Sequence, residues 1–333
     1  MTGGTGFIGS HQVVALAEAG HEPVVVDDLS NSAVEVLGRL RRITGADIPF
    51  SRLDVRDRDA LRRFVESTQV EAVIHFAAKK HVWESVQQPL AYFDVNLGSL
   101  SSLCQVLSET GVRRLVFSSS GSVYGHATRR PIPEDEEHRP TNPYSTTKSW
   151  GEKILRDLCA ADPTWAVLAL RYFNPAGAHA SGLIGEDPTG HLSNLLPVLM
   201  HIAAGNLPHL EVNGNDFDTP DGTGVRDYVH VMDVARAHVI ALQRLVERSG
   251  FEAFNIGRGE GVSVLQLVEA VENVTGVTIE RRFGPRRPGD VASLYADTAL
   301  AARELGITDY ADLHRICADA WRWQRANPQG YRT

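Results

Sequence analysis

Cysteine is scarce in this chain, with three among 333 residues, and Cys104, Cys159 and Cys317 show no CxxC spacing. That excludes a disulfide framework, supplies no zinc-ligand set, and makes the reducing cytoplasm the expected compartment. Long apolar runs are missing too. The longest covers only residues 165–170, far short of the about 20 needed to span a bilayer. No basic segment followed by an apolar one opens the chain, so no secretory leader is expected. An excess of positive charge is also absent. The formal net charge of −8 argues against nucleic acid as the main partner, whereas a small anion needs only a few local cations. The histidines show no HxxxH pairing with a helical carboxylate, so no metal site is expected.

What is present is an ordinary globular composition, 43% hydrophobic and 22% charged, with a clear alternation of periods. Strand-like β-branched runs at 22–27, 71–76, 114–119 and 166–171 alternate with amphipathic segments at about 9–19, 57–68, 89–110 and 144–161. Alternation of this kind predicts an α/β fold with a doubly wound, Rossmann-type parallel sheet covered on both faces. Beyond Tyr172 the chain is richer in Gly, Pro, Asn and Asp, and helical patterns return at about 233–248, 264–275 and 310–325. The expected division is a dinucleotide-binding domain over 1–172 and a smaller C-terminal α/β substrate domain, mainly 173–333, interleaved with the end of the sheet. The acidic run Asp135-Glu136-Glu137 reads as solvated surface.

Two motifs carry chemistry. Gly3, Gly6 and Gly9 fall directly before the first amphipathic segment. Gly3 permits a tight turn, Gly6 lets backbone approach a pyrophosphate, and Gly9 lets helix and strand pack closely. The helix N-terminus then offers free N–H groups to phosphate. Asp27 ends the next strand, about 20 residues on, where an acid accepts ribose hydroxyls and repels a 2′-phosphate. NAD is therefore favoured over NADP. Only Met1 and Thr2 precede the loop, where a buried central strand is expected, which predicts a missing apolar extension. In the second motif, Ser118-Ser119-Ser120 tips a strand and Tyr144-Ser145-Thr146-Thr147-Lys148 opens a helix. Tyr144 and Lys148, at i and i+4, share a helical face. A phenol ionises near pH 10, so a neighbouring ammonium and an oxidised nicotinamide are expected to lower Tyr144 toward neutrality, with Ser120 sharing the proton.

These motifs resemble the extended short-chain dehydrogenase/reductase family, and within it the UDP-galactose 4-epimerases. The resemblance covers essentially the whole chain. It is carried by His75-Phe76-Ala77-Ala78, Ser118-Ser119-Ser120-Gly121-Ser122-Val123-Tyr124-Gly125, Leu170-Arg171-Tyr172-Phe173-Asn174-Pro175, Gly222-Thr223-Gly224-Val225-Arg226-Asp227-Tyr228 and Arg286-Arg287-Pro288-Gly289-Asp290. It implies interconversion of UDP-hexoses by transient C4 oxidation with a retained NAD. It also implies that Phe7 and Ile8 join the glycines, and that Asp27, Asp28, Leu29, Ser30, Asn31 and Ser32 hold the adenosine half. Asp54 and Val55 would flank the adenine, and Phe76, Ala77, Ala78 and Lys80 would line the pyrophosphate and ribose. Asn96, Ser118, Lys148, Tyr172 and Phe173 would complete the cofactor contacts. Tyr144 would be the acid/base, assisted by Ser120. On the substrate side the resemblance implies Lys80, Asn174, Asn194, Leu195, Arg226, Arg287, Asp290 and Leu294, with the two arginines gripping the diphosphate. A homodimer through the segments 89–110 and 144–161 is implied as well.

Departures from the family pattern bear on the sugar. His81 and Trp83 stand where relatives carry small residues, near the expected sugar. Leu294 falls between the aromatic and the small residues that border the C2 substituent in relatives, so UDP-glucose and UDP-galactose are expected to be preferred, with weak turnover of the N-acetyl pair. A 4,6-dehydratase would carry an Asp-Glu pair where this chain has Gly121 and Ser122. Lys79 and Lys80 keep a uronate substrate open, and a non-catalytic NAD sensor is the alternative outside catalysis.

Overall fold

The computed structural model describes residues 1–187, 192, 194–287 and 289–331. Six parallel strands form the main sheet: β1 (Val25–Asp27), β2 (Phe50–Arg52), β3 (Val73–His75), β4 (Arg114–Ser120), β5 (Ala166–Tyr172) and β6 (Gly250–Ile256). Between β1 and β3 lies the chain start, where Thr2 bridges in parallel to Val26 on one side and His75 on the other. The spatial order is therefore β2-β1-Thr2-β3-β4-β5-β6. This is the doubly wound order in which ligands bind at the carboxyl ends beside the central strand. At the centre, where a longer strand is expected, Thr2 alone bridges to both neighbours.

The registers explain where that edge falls. Ser120 pairs with Tyr172 and Tyr172 with Ile256, so these three strands end level. Alternate residues of each strand enter two separate cores, as a sheet buried on both faces requires. Val116, Leu168 and Leu170 pack on one face, and Leu115, Phe117, Val167 and Ala169 on the other. Helices α1 (Phe7–Glu18), α2 (Glu35–Thr44), α3 (Arg58–Thr68), α4 (Gly98–Thr110), α5 (Pro143–Ala161) and α6 (Val231–Arg244) cover these faces. α1, α2 and α6 contribute to the first core, and α3, α4 and α5 to the second. The segment expected as one helix over 89–110 is instead a short helix, Pro89–Tyr92, a π-turn, Phe93–Leu97, and α4.

A third core serves the second half, where Leu195–Ala203, Val264–Thr275 and Leu313–Ala326 pack together. Small strand pairs knit this half: Asn174–Ala176 with Tyr228–His230, and Val225–Arg226 between Val262–Ser263 and Ser293–Leu294. Among the described residues no helix is long and apolar enough to cross a membrane. One part of the acidic run is not solvated surface. Glu136 is buried and accepts from Thr128 N and Arg129 Nε, both at 2.7 Å; these bonds hold its carboxyl down at about 2.

Leu115 is fully buried in the second core. Leu115→Ala is expected to cost about 2–5 kcal/mol in a urea unfolding curve, since the paired strands on either side limit collapse into the cavity.

Candidate active site

The carboxyl ends of the strands open into one cleft of about 1120 Å³. That is just above the about 300–1,000 Å³ of a pocket for one drug-sized ligand. Gly3, Gly6, Phe7, Ile8 and Gly9 line it, with Asp27, Asp28, Ser30, Asn31, Ser32, Asp54, Val55, Phe76, Ala77, Ala78 and Lys80. The glycines are dictated by contact. A Cβ on Gly9 would lie 2.0 Å from the Gly3 carbonyl oxygen, and one on Gly3, at φ +70°, would lie 2.8 Å from Ala77 N. α1 starts with Gly6 as its N-cap and has no side-chain cap and no acid in its first turn. Its leading N–H groups are thus left to an anion in the cleft. Asp27 accepts from Thr5 N at 3.1 Å, Leu29 N at 3.0 Å and Ser32 Oγ at 3.1 Å, which fixes its carboxylate at the edge of the cleft. This close-packed loop, uncapped helix and anchored acid suit a dinucleotide with free ribose hydroxyls.

The floor is built by β4 and α5. Asn142 caps α5 in a reciprocal capping box with Ser145, and Pro143 follows at the first helical position, which pins Tyr144 in the first turn. Burial raises the Tyr144 phenol above its ordinary value, and a hydrogen bond with Ser120 pulls it partly back. Besides an oxidised nicotinamide, the lowering expected from the sequence rests on Lys148, which is not bonded to the phenol. Its Nζ donates to Ser118 O at 2.7 Å and lies 6.0 Å from the Tyr144 ring centre. Lys148 is 5% exposed and has no carboxylate partner among the described residues, so burial pulls its ammonium down to about 8. A buried, uncompensated cation beside a phenol is the signature of a chemical site rather than of a packing solution. Ser118 shares a hydrogen bond with Tyr172, which lines the cleft together with Phe173.

The second half supplies the remaining wall through Asn174, Asn194, Leu195, Arg226, Asp290 and Leu294. Arg226 is oriented by donating to Val225 O at 2.8 Å and Val291 O at 2.9 Å. Leu294 packs beside Phe173 and Val123. Three expected site residues do not line the cleft. Leu29 faces away, its backbone N–H committed to Asp27. Asn96 lies behind the wall, where its amide clasps both Lys79 N (2.8 Å) and Lys79 O (3.0 Å) and donates to Thr147 Oγ1 at 2.9 Å. These bonds tie the segment after β3 to α5. Arg287 is exposed on the outer loop, and its neighbour Pro288 lies outside the described residues. Of the two bulky departures, His81 lines the cleft whereas Trp83 is 63% exposed and does not. The sequence reading missed Glu84, Glu186, Asp187 and the C-terminal stretch 328–331, all of which line the cleft. Glu84 lies on the short helix Val82–Gln87, and the others come from Gly- and Pro-containing segments without periodic pattern.

Comparison with known proteins agrees with this geometry. Residues 1–257 match the NAD dependent epimerase/dehydratase family, and the chain belongs to it. More narrowly, it is 50% identical to the UDP-glucose 4-epimerase of Bacillus subtilis, over 100% of this chain and 98% of that protein. A crystal structure of UDP-glucose 4-epimerase from Bifidobacterium longum in complex with NAD+ and UDP superposes with a TM-score of 0.96 at 43% identity, covering 99% of this chain and 98% of that one. The Stenotrophomonas maltophila enzyme, with bound NAD and formylated UDP-arabinopyranose, gives 0.96 at 47% identity, covering 98% of both chains.

The unpaired Lys148 has a measurable cost. Its ammonium falls from 10.5 to about 8 on folding, so the penalty is fully present below pH 8 and fades as pH rises toward 10.5. Lys148→Met is expected to stabilise cofactor-stripped protein at pH 7 by about 1–3 kcal/mol. In denaturant titrations that advantage should shrink between these two pH values.

Proposed function

We propose that the protein interconverts UDP-glucose and UDP-galactose through transient oxidation at C4, with NAD retained between turnovers. The observation that carries the reading is the convergence of Ser120, Tyr144 and Lys148 on the floor of the cleft that Gly3, Gly6 and Gly9 also line. NAD held along Gly3, Gly6 and Gly9 supplies the acceptor and donor of hydride. Tyr144 takes the C4 hydroxyl proton and returns it, Ser120 relays it, and Lys148 holds the nicotinamide ribose. The Tyr144 phenol needs positive charge brought into the cleft before it can act as a base near neutrality. Asn174, Arg226 and Arg287 grip the diphosphate, Arg287 swinging in from its exposed loop. Asp290 takes the uridine ribose, and Asn194 with Leu195 encloses the ligand. Net redox change is zero, so the site must hold the nucleotide while the sugar turns over between its faces.

In this reading residues 1–172 serve mainly NAD and 173–333 mainly the sugar nucleotide. The rival chemistries find less support. A Cβ at Gly121 would meet the Phe173 ring at 3.0 Å, so a dehydratase acid there would require the ring to shift. Of the cations that could receive a uronate, Lys79 is paired with Glu84 at 3.0 Å. Two copies pair through Pro89–Tyr92, α4 and α5. This is supported by Leu90, Trp150 and Ile154, apolar yet 80%, 53% and 37% exposed. A cytoplasmic location rests on three cysteines that are all free and buried.

Purified protein should convert UDP-galactose to UDP-glucose without added NAD, and Tyr144→Phe should lower kcat by about 10²–10⁴ with NAD still bound. Absence of conversion by folded, NAD-loaded wild-type protein would sink the assignment. Leu294→Gly should raise relative turnover of the N-acetyl pair by at least about tenfold; competition assays with mixed substrates would read this.

A further inference from the structure

Lys80 and Asn194 reach the cleft from different halves of the chain, and one carboxylate holds both. Lys80 Nζ donates to Glu186 Oε1 at 2.7 Å, and Asn194 Nδ2 donates to the same oxygen at 2.7 Å. Lys80 belongs to the segment after β3, Asn194 is the N-cap of Leu195–Ala203, and all three residues line the cleft. The Glu186 side chain is only 8% exposed. A carboxylate on the wall of a cleft built for phosphate-bearing ligands opposes their binding, and a merely tolerated one would be free to swing into solvent.

Glu186 is not free to swing, because its backbone is fastened from behind. Tyr331 OH accepts from Gly185 N and donates to Gly185 O, both at 3.1 Å, and Tyr331 N donates to Asp187 Oδ2 at 2.7 Å. Trp323 Nε1 donates to Glu186 O at 3.3 Å. The Arg39 guanidinium lies 4.8 Å from the Tyr331 ring centre and 5.4 Å from that of Trp323. The last residues described thus form a strap that presents one carboxylate to two donors on the ligand wall.

We propose that Glu186 is a placeholder for the anionic part of the nucleotide sugar. It engages Lys80 and Asn194 between turnovers, yields them to the ligand's phosphate oxygens, and takes them back as product leaves. The inference rests on the UDP-sugar assignment and adds to it a residue that tunes ligand exchange. Carboxylate and phosphate oxygens are interchangeable acceptors for an ammonium and an amide. Binding is therefore an exchange of partners rather than a net gain of two. Affinity is sacrificed, and release is eased, because the departing ligand leaves no unpaired donors behind. That balance suits an enzyme whose substrate and product differ at one carbon and share the same diphosphate. Glu186 touches no reacting atom in this account, and its effect is on occupancy and release.

The test uses the NAD-loaded protein and Glu186→Gln, which keeps size and removes charge. UDP alone, without sugar, should bind about tenfold tighter in calorimetry, since the uncovered ammonium now meets the diphosphate without a competitor. KM for UDP-galactose should fall in parallel, and kcat should fall less and become more sensitive to solvent viscosity as release slows. Tighter binding should also become more salt-sensitive. Glu186→Ala should move UDP affinity the same way, so a folding defect in one variant does not remove the test. Unchanged UDP affinity in both variants would overturn the proposal and leave a structural ion pair. A raised KM with unchanged UDP affinity would overturn it in favour of a direct sugar contact. Wild-type protein that neither binds UDP nor turns over UDP-galactose would overturn the underlying assignment, and this proposal with it.

Discussion

Backbone hydrogen bonds on both sides of the first three residues join what would otherwise be two sheets. Val26 N donates to Met1 O at 2.8 Å, and Gly3 N donates to Val26 O at 2.8 Å. On the other side Thr2 N donates to Ile74 O, and Phe76 N to Thr2 O, each at 3.1 Å. The Thr2 hydroxyl and His75 Nδ1 lie 2.8 Å apart, which adds a side-chain tie. The crevice opens where the chain connections part toward the two faces. Because Gly3 follows directly, the glycine loop inherits its position from these bonds. The loop's close approach to Ala77, its bond to Asp27 through Thr5, and the start of α1 all depend on that short stretch staying in register.

Buried charges near the floor show two opposite solutions to the same problem. Arg171 and Glu152, each 1% exposed, meet at 2.6 Å, and Ser119 Oγ donates to Glu152 at 2.6 Å. The network continues through Tyr124, which accepts from Arg171 at 2.8 Å and donates to Asn255 Oδ1 at 2.6 Å. It joins β4, β5, β6 and α5 with its charges paired, as a structural network must be. Lys148, one helical turn before Glu152, is buried with a carbonyl as its recorded acceptor. The contrast is between a charge whose partner is built into the fold and one left with a backbone carbonyl.

Much of this was legible in the sequence, and the failures have physical causes. The helix expected at 264–275 matches Val264–Thr275, because Ser263 caps it in a box with Gln266 and Gly276 ends it in the left-handed conformation. β1 starts later than the run at 22–27 suggested, since Pro23 lacks the N–H a ladder needs. β2, three residues long, carries too little pattern to be seen, and α2 is so rich in arginine that its two buried positions, Val36 and Leu40, are hidden. β6 (GFEAFNI) mixes polar and apolar residues as an edge of the sheet allows. In the site, most residues expected from the motifs line the cleft, whereas Asn96 and Glu186 are placed by contacts between distant segments that periodicity does not encode.

The return of β6 to the main sheet has a consequence for how the protein is made. β5 is complete once residue 172 emerges from the ribosome, but its partner on that side arrives only with residues 250–256. At about 5–20 residues per second, the wait is on the order of ten seconds. Throughout it, a strand that opens on five apolar residues presents an unpaired edge, the kind of surface that recruits other nascent chains. Early docking of α6, whose residues precede β6 in the chain, would shorten the time for which that edge is bare.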